Sequence, residues 1–332
     1  DAFAQMNERT VHHGKIVRIG GVAIYLAFII TMALYVKTDM AMNGILIGST
    51  IMFIGGLVDD LVNLKPLYKF SFQVVAAIVL IASGVTLDVI RLPLGITINM
   101  GVVSFIVTFF WITGITNAVN LIDGLDGLCG GISVIILTVI AMLAVIEGRG
   151  DVEMIALILV GATLGFLIYN AHPASIFMGD CGALFLGFII SAISLLGFKS
   201  STIMTLALPL LLLALPIIDT LSAILRRTLK GHKFSEADKS HIHHLLMNKF
   251  GHKNTVIIMC IVTALFGLTA YVYMINKGIG LISLFVIMLA VDLFIEGSGM
   301  ISDKYHPILS VSRRIIRRLT RKKTITDSDR TD

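Results

Sequence analysis

Gly101-Val-Val-Ser-Phe-Ile-Val-Thr-Phe-Phe-Trp-Ile-Thr-Gly-Ile-Thr-Asn-Ala-Val-Asn-Leu-Ile-Asp-Gly-Leu-Asp-Gly127 is the stretch whose reading decides the fold. From Gly101 to Val119 it carries no charged residue and no apolar–polar alternation. It therefore reads as a helix long enough to cross a bilayer, and not as a barrel strand. At its end the character changes: Asn117, Asn120, Asp123 and Asp126 arrive together with Gly124 and Gly127.

Working outward, similar apolar runs lie near residues 20–36, 43–58, 69–87, 130–146, 152–169, 182–198, 203–225, 254–275 and 279–297. With 101–119 they make ten spans in a chain of 332 residues that is 56% hydrophobic and only 14% charged. Backbone polar groups inside hydrocarbon must bond within their own segment, so continuous runs of this kind predict an all-α, polytopic helical bundle. The linkers are short and no internal repeat is visible. The simplest division is a membrane domain over 1–303, with a polar loop at 226–253, followed by a basic tail at 304–332.

Lys and Arg near span ends favour the cytoplasmic side. With residues 1–18 inside, the outer loops hold only Lys37, Arg91, Arg149, Lys199 and Lys277, whereas the reverse orientation would place the bulk of the basic residues outside. The net charge of +5 is then concentrated on one face, the tail contributing Arg313, Arg314, Arg317, Arg318, Arg321, Lys322 and Lys323. That tail reads as an anchor on lipid headgroups and not as a nucleic-acid arm. Cys129, Cys181 and Cys260 fall at cytoplasmic helix ends, which implies reduced thiols and no disulfide framework. The chain opens at Asp1 with no signal-peptide core, and an upstream segment is expected.

Acidic residues number 21, and several gather at predicted inner span ends. Asp59 and Asp60 close the second span, with Lys65 and Lys69 just beyond; Asn120, Asp123 and Asp126 close the fourth; Asp180 follows the sixth in Phe177-Met-Gly-Asp180. One aspartate at a helix boundary is an ordinary cap. Five that terminate at the same membrane plane point to a site, since adjacent carboxylates repel unless a cation or shared proton compensates. Hard oxygen ligands suit Mg2+, which also retains waters and takes substrate phosphates, with Mn2+ an acceptable substitute.

His241, His243 and His244 lie within four residues in the polar loop. Zinc, phosphate or substrate binding, and a solvated loop all remain open readings. Asp219, beyond Pro216 in the eighth span, either satisfies backbone freed by the proline or faces the bundle interior. The outer segment from Asp88 to Thr97, with Pro93 and Gly95, is either a hairpin or a loop.

Taken together, Gly-x-x-Asp-Asp at 56–60, then Lys69 and Gln73, Asn-x-x-Asn-x-x-Asp-Gly-x-Asp-Gly at 117–127, Phe-Met-Gly-Asp at 177–180 and His-x-His-His at 241–244 resemble, in order, the polyprenyl-phosphate N-acetylhexosamine-1-phosphate transferases. Within that family, Asp238-Lys-Ser-His-Ile-His-His-Leu-Leu-Met247 looks like the branch that initiates O-antigen, enterobacterial common antigen and wall teichoic acid. It looks less like the MurNAc-pentapeptide branch. The family has eleven spans, and its usual prolines are replaced here by Met6 and Val17.

The resemblance implies that Asn120 and Asp180 coordinate Mg2+, that Lys69 meets phosphates, and that Phe177 stacks on uracil with Asp126 nearby. The histidines at 241, 243 and 244 would close over the donor. Asp59, Asp60 and Asp123 are the candidates to bind or deprotonate the acceptor phosphate. The implied substrates are a UDP-N-acetylhexosamine, most simply UDP-GlcNAc, and undecaprenyl phosphate. The implied setting is the bacterial inner membrane, with site and C-terminus cytoplasmic, and a homodimer is admitted. The rival readings are a MurNAc-pentapeptide transferase, a metal-dependent polyprenyl diphosphate phosphatase, and a cation-coupled transporter working through Asp219.

Overall fold

A computed structural model describes residues 17–37, 39–91, 97–197 and 242–298. In chain order the helices are α1 Gly21–Tyr35, α2 Met40–Val62, α3 Pro66–Ala82, α4 Val103–Ile122, α5 Leu128–Ile146, α6 Gly150–Asn170, α7 Gly179–Gly197, α8 Ile242–Phe250, α9 His252–Ile275 and α10 Lys277–Ser298. Between α3 and α4 lie the strands β1 Val89–Arg91 and β2 Thr97–Asn99. Among the described residues six helices, α2, α4, α5, α6, α7 and α9, are long and apolar enough to cross a membrane; α1, α3 and part of α10 are shorter apolar helices. The expected span at 203–225 with Asp219, the loop up to His241, the first 16 residues and the tail lie outside the described residues.

Local signals set the ends of these helices. Asp39 caps α2, its side chain accepting from the Met42 N–H at 2.8 Å. Asn63 then ends α2 in the left-handed region (φ 56°), and Pro66 opens α3 at a position where its missing N–H is harmless. The span expected at 69–87 is corrected at both ends: α3 covers 66–82, and Val85 and Leu87 are buried outside any helix. Apolar composition alone does not separate a helical turn from irregular buried chain. The segment left open between hairpin and loop carries a two-stranded antiparallel pairing, Val89 opposite Asn99 and Arg91 opposite Thr97.

α7 is the axis of the bundle. Apart from Asp180, each of its residues is buried, and it packs against α1, α2, α4, α5 and α6. Close approach comes from small residues, as expected where lipid offers no hydrophobic drive between helices. A Cβ on Gly56 of α2 would stand 2.5 Å from the Asp180 carbonyl oxygen. Trp111 Nε1 donates to Ser191 O and Ser194 Oγ, each at 3.3 Å, joining α4 to the middle of α7. Large apolar side chains such as Ile30, Leu34, Ile282 and Phe285 face outward, the surface a bilayer would cover. The C-termini of α2 and α4 and the N-termini of α3, α5 and α7 therefore converge at one end.

Candidate active site

Asp59 and Asp60 are neighbours on the last turn of α2, so their side chains leave the helix about 100° apart. Asp59 turns toward α3: its Oδ2 lies 3.3 Å from Lys69 Nζ, and its Oδ1 accepts from the Leu64 N–H at 2.7 Å. Asp60 turns toward α7, where Oδ1 and Oδ2 accept from the backbone N–H groups of Asp180 and Cys181, each at 2.9 Å. Those N–H groups lack intrahelical acceptors in a first turn, so Asp60 caps α7 from another helix and complements its dipole.

That cap fixes Asp180. One of its oxygens pairs with Lys69 Nζ, and the other accepts from Asn120 Nδ2 at 2.7 Å. The turn before it requires Gly179, at φ +72°, where a Cβ would run into the Arg18 carbonyl oxygen and stand 2.6 Å from Asp60 Oδ2. The Arg18 backbone belongs to a strap: Phe177 N donates to Val17 O, and Gly20 N and Gly21 N donate to Phe177 O and Met178 O, each at 2.9 Å. Gly179→Ala is expected to reduce turnover at least about tenfold and to lower thermal stability, because both the positive φ and the packed oxygens resist a side chain. A thermal melt alongside an activity assay checks both effects.

Lys69 and Asn120 are held relative to each other by an amide pair, buried at Gln73 and half-buried at Asn117. Gln73, one turn beyond Lys69, donates Nε2 to Asn117 Oδ1 at 2.9 Å; Asn117, one turn before Asn120, donates Nδ2 to Gln73 Oε1 at 2.7 Å. Gln73→Leu leaves the Asn117 amide without that partner and should destabilise the protein by about 1–3 kcal/mol. A double-mutant cycle with Asn117→Leu is expected to recover part of that loss.

Asp123 follows α4 as its C-cap and is half-buried. Burial first, then the charges of Asp180 and Asp60, push its carboxyl up to about 7, with Arg18 opposing. A proton acceptor near neutrality suits general-base work, and a nearby cation would draw the value down.

Asp126, almost fully buried, belongs to a second cluster. His172 Nδ1 donates to Asp126 Oδ2 at 2.9 Å and Ala174 N donates to the same oxygen at 3.1 Å, while the Asp126 N–H donates to His252 Nε2 at 3.1 Å. The His172 and His252 rings stack with centroids 4.2 Å apart and planes at 26°. The facing atoms lie within 4.8 Å of one another, as in a metal site. Near-parallel rings do not aim two lone pairs at one ion, and the His252 lone pair already receives the Asp126 N–H, so the cluster reads as a hydrogen-bond network. Half-buried Phe177 follows three residues after Ala174.

The sequence that builds this site is similar to that of known proteins. The model of glycosyl transferase family 4 matches residues 42–198. "Probable undecaprenyl-phosphate N-acetylglucosaminyl 1-phosphate transferase" of Bacillus subtilis (strain 168) is 38% identical over 323 residues, covering 96% of this chain and 90% of the relative. The chain belongs to glycosyl transferase family 4. The decaprenyl-phosphate N-acetylglucosaminephosphotransferase of Mycobacterium tuberculosis (strain ATCC 25618 / H37Rv) is 32% identical over 297 residues, 78% of this chain and 72% of the relative. Similarity to the phospho-N-acetylmuramoyl-pentapeptide-transferase of Streptococcus thermophilus (strain CNRZ 1066) is 33% over 190 residues, only 52% of this chain and 55% of that protein.

Membership makes the chain a membrane phosphotransferase, and the matched segment contains both clusters except His252. The structure brings Asp59, Asp60, Lys69, Asn120 and Asp180 into contact and sets Asp123 beside them electrostatically. Asp126 belongs to the adjoining network. His241 lies outside the described residues; His243 and His244 fall in α8, where the backbone alone is described.

The oxygens of Asp180 and Asn120 are hard donors that fit Mg2+ once the Asn120 amide turns its oxygen toward the ion, with Asp59 next to them across Lys69. Lys69 supplies the neutralising charge in the arrangement observed.

Sequence reasoning passes over His172 and His252. A polar Asn170-Ala-His172 at the end of an apolar span is the signal for His172. For His252 there is only a histidine at the first residue of a span.

Proposed function

We propose that this chain transfers N-acetylglucosamine 1-phosphate from UDP-GlcNAc to undecaprenyl phosphate, releasing UMP, at the cytoplasmic face of the bacterial inner membrane. The observation that carries this reading is the meeting of Asp59, Lys69, Asn120 and Asp180, from four helix ends, in one network of contacts at one end of the bundle. A site at one face suits a lipid phosphate that enters from the leaflet, whereas transporter sites are expected near the midplane.

Phosphoryl transfer asks an enzyme mainly to position groups and neutralise developing charge. Asp180 and Asn120 would hold Mg2+, which would supply Lewis acidity toward the diphosphate. Lys69 offers its ammonium to the same phosphate oxygens, and Asp60 keeps Asp180 in place. Asp123, or Asp59 across the pocket, accepts a proton from or orients the acceptor phosphate. An acceptor oxygen then forms a bond to the sugar-bearing phosphorus as that phosphorus loses its bridging oxygen to UMP. Phe177 and Asp126 serve the uridine end, with His241, His243 and His244 closing over sugar and diphosphate.

Purified protein given UDP-GlcNAc, undecaprenyl phosphate and Mg2+ should release UMP only when the lipid is present. Inorganic phosphate release would favour a phosphatase. Faster turnover with UDP-MurNAc-pentapeptide would move the chain to the peptidoglycan branch.

A further inference from the structure

The Asp126 network contains a residue far away in sequence, from a helix that no motif marks. His252 is the first residue of α9, behind Gly251, and its Nε2 accepts the Asp126 N–H at 3.1 Å. Asp126 stands between α4 and α5, in the turn that joins them. Its backbone is held by two outside acceptors, His252 Nε2 on Asp126 N and Asn170 Oδ1 on Gly127 N at 2.9 Å. Its side chain is held by His172 and the Ala174 N–H. The ring stack joins the two histidines, so backbone and carboxylate are fixed by one continuous unit.

From this we infer that His252 is a positioning residue for Asp126, and that the His172–His252 stack is the rear wall of the subsite for the donor nucleoside. The inference rests on the proposed role of Asp126 at the uridine end. His252 itself does not touch the donor. Its acceptor nitrogen fixes the Asp126 peptide, and its ring supports the His172 imidazole that orients the Asp126 carboxylate. Because α9 follows directly on α8 and the polar histidine loop, the same contact ties the start of α9 to the donor pocket.

Two variants separate the functions of the ring. His252→Phe keeps a stacking face but has no acceptor, whereas His252→Gln keeps an acceptor of similar reach. The Phe variant is expected to raise KM for UDP-GlcNAc about fivefold to tenfold, the worth of one hydrogen bond, with KM for undecaprenyl phosphate unchanged and kcat within about twofold. The Gln variant should return to within about threefold of wild-type donor KM, since the acceptor is restored. Should the Phe variant lose its thermal transition, His252→Asn, too short to reach the Asp126 N–H, takes the same test.

An unchanged donor KM, or equal changes in donor and acceptor KM, would overturn the positioning role. Asp126→Asn serves as the control. If it leaves donor KM unmoved, the assignment of Asp126 to the uridine end fails, and the inference fails with it. If it raises donor KM while His252→Phe does not, the positioning role alone fails.

Discussion

Asp180→Asn is expected to lower kcat by about a hundredfold to a thousandfold while leaving the protein folded, the scale seen when one preorganised electrostatic group is removed from a catalytic site. Asp180 is where these contacts converge: Lys69 and Asn120 hold its two oxygens, and Asp60 caps the turn that carries it. Asparagine has the same shape and can still bond to Asn120, but it brings no charge to hold a divalent cation or orient Lys69. UMP release in the lipid-dependent assay measures the loss, and turnover within about tenfold of wild type would remove Asp180 from the chemistry.

Lys69→Met has the second large effect, and it divides between stability and turnover. Among the described residues, Lys69 is the cation that bridges Asp59 and Asp180, and its removal leaves two partly buried carboxylates facing each other. Stability should fall by about 2 kcal/mol, below the cost of breaking a fully buried pair because solvent reaches these side chains. kcat/KM should fall by about a hundredfold as one phosphate-facing charge disappears. Added Mg2+ is expected to restore the thermal midpoint, since any cation relieves the repulsion, but not turnover. Lys69→Arg should recover only part of the activity, because a planar fork does not replace a compact ammonium between two carboxylates.

Much of this site is legible in the primary structure because the signals are local. An uncharged run of about 20 residues spells a membrane helix without reference to its neighbours. Polar groups at span ends that stop at one membrane plane are brought together by that plane, which is why Asp59, Asn120 and Asp180 group together on sequence alone. The divergence of Asp59 from Asp60 is different. It depends on how α2 is rotated against α7, a tertiary property, so the two adjacent aspartates look equivalent in sequence although Asp60 alone caps α7. His252 meets Asp126 across 126 positions, and no spacing rule announces such a pair. Gln73 and Asn117 are visible as motif members, yet their reciprocal amide bond appears only when α3 and α4 are set side by side. The end of α3 escapes hydropathy for a simpler reason: Val85 and Leu87 are apolar because they are buried, not because they are helical.

If four helix ends share one site that grips a metal-bound diphosphate, the position of the ion reveals it. A structure of the full chain with UDP-GlcNAc and Mn2+, the ion placed by its anomalous signal, should show the metal about 2.1 Å from oxygens of Asp180 and Asn120 and of the diphosphate, with Lys69 turned to the phosphates. An ion seated instead among Asp126, His172 and His252, or a diphosphate bound away from Asp180, would contradict it.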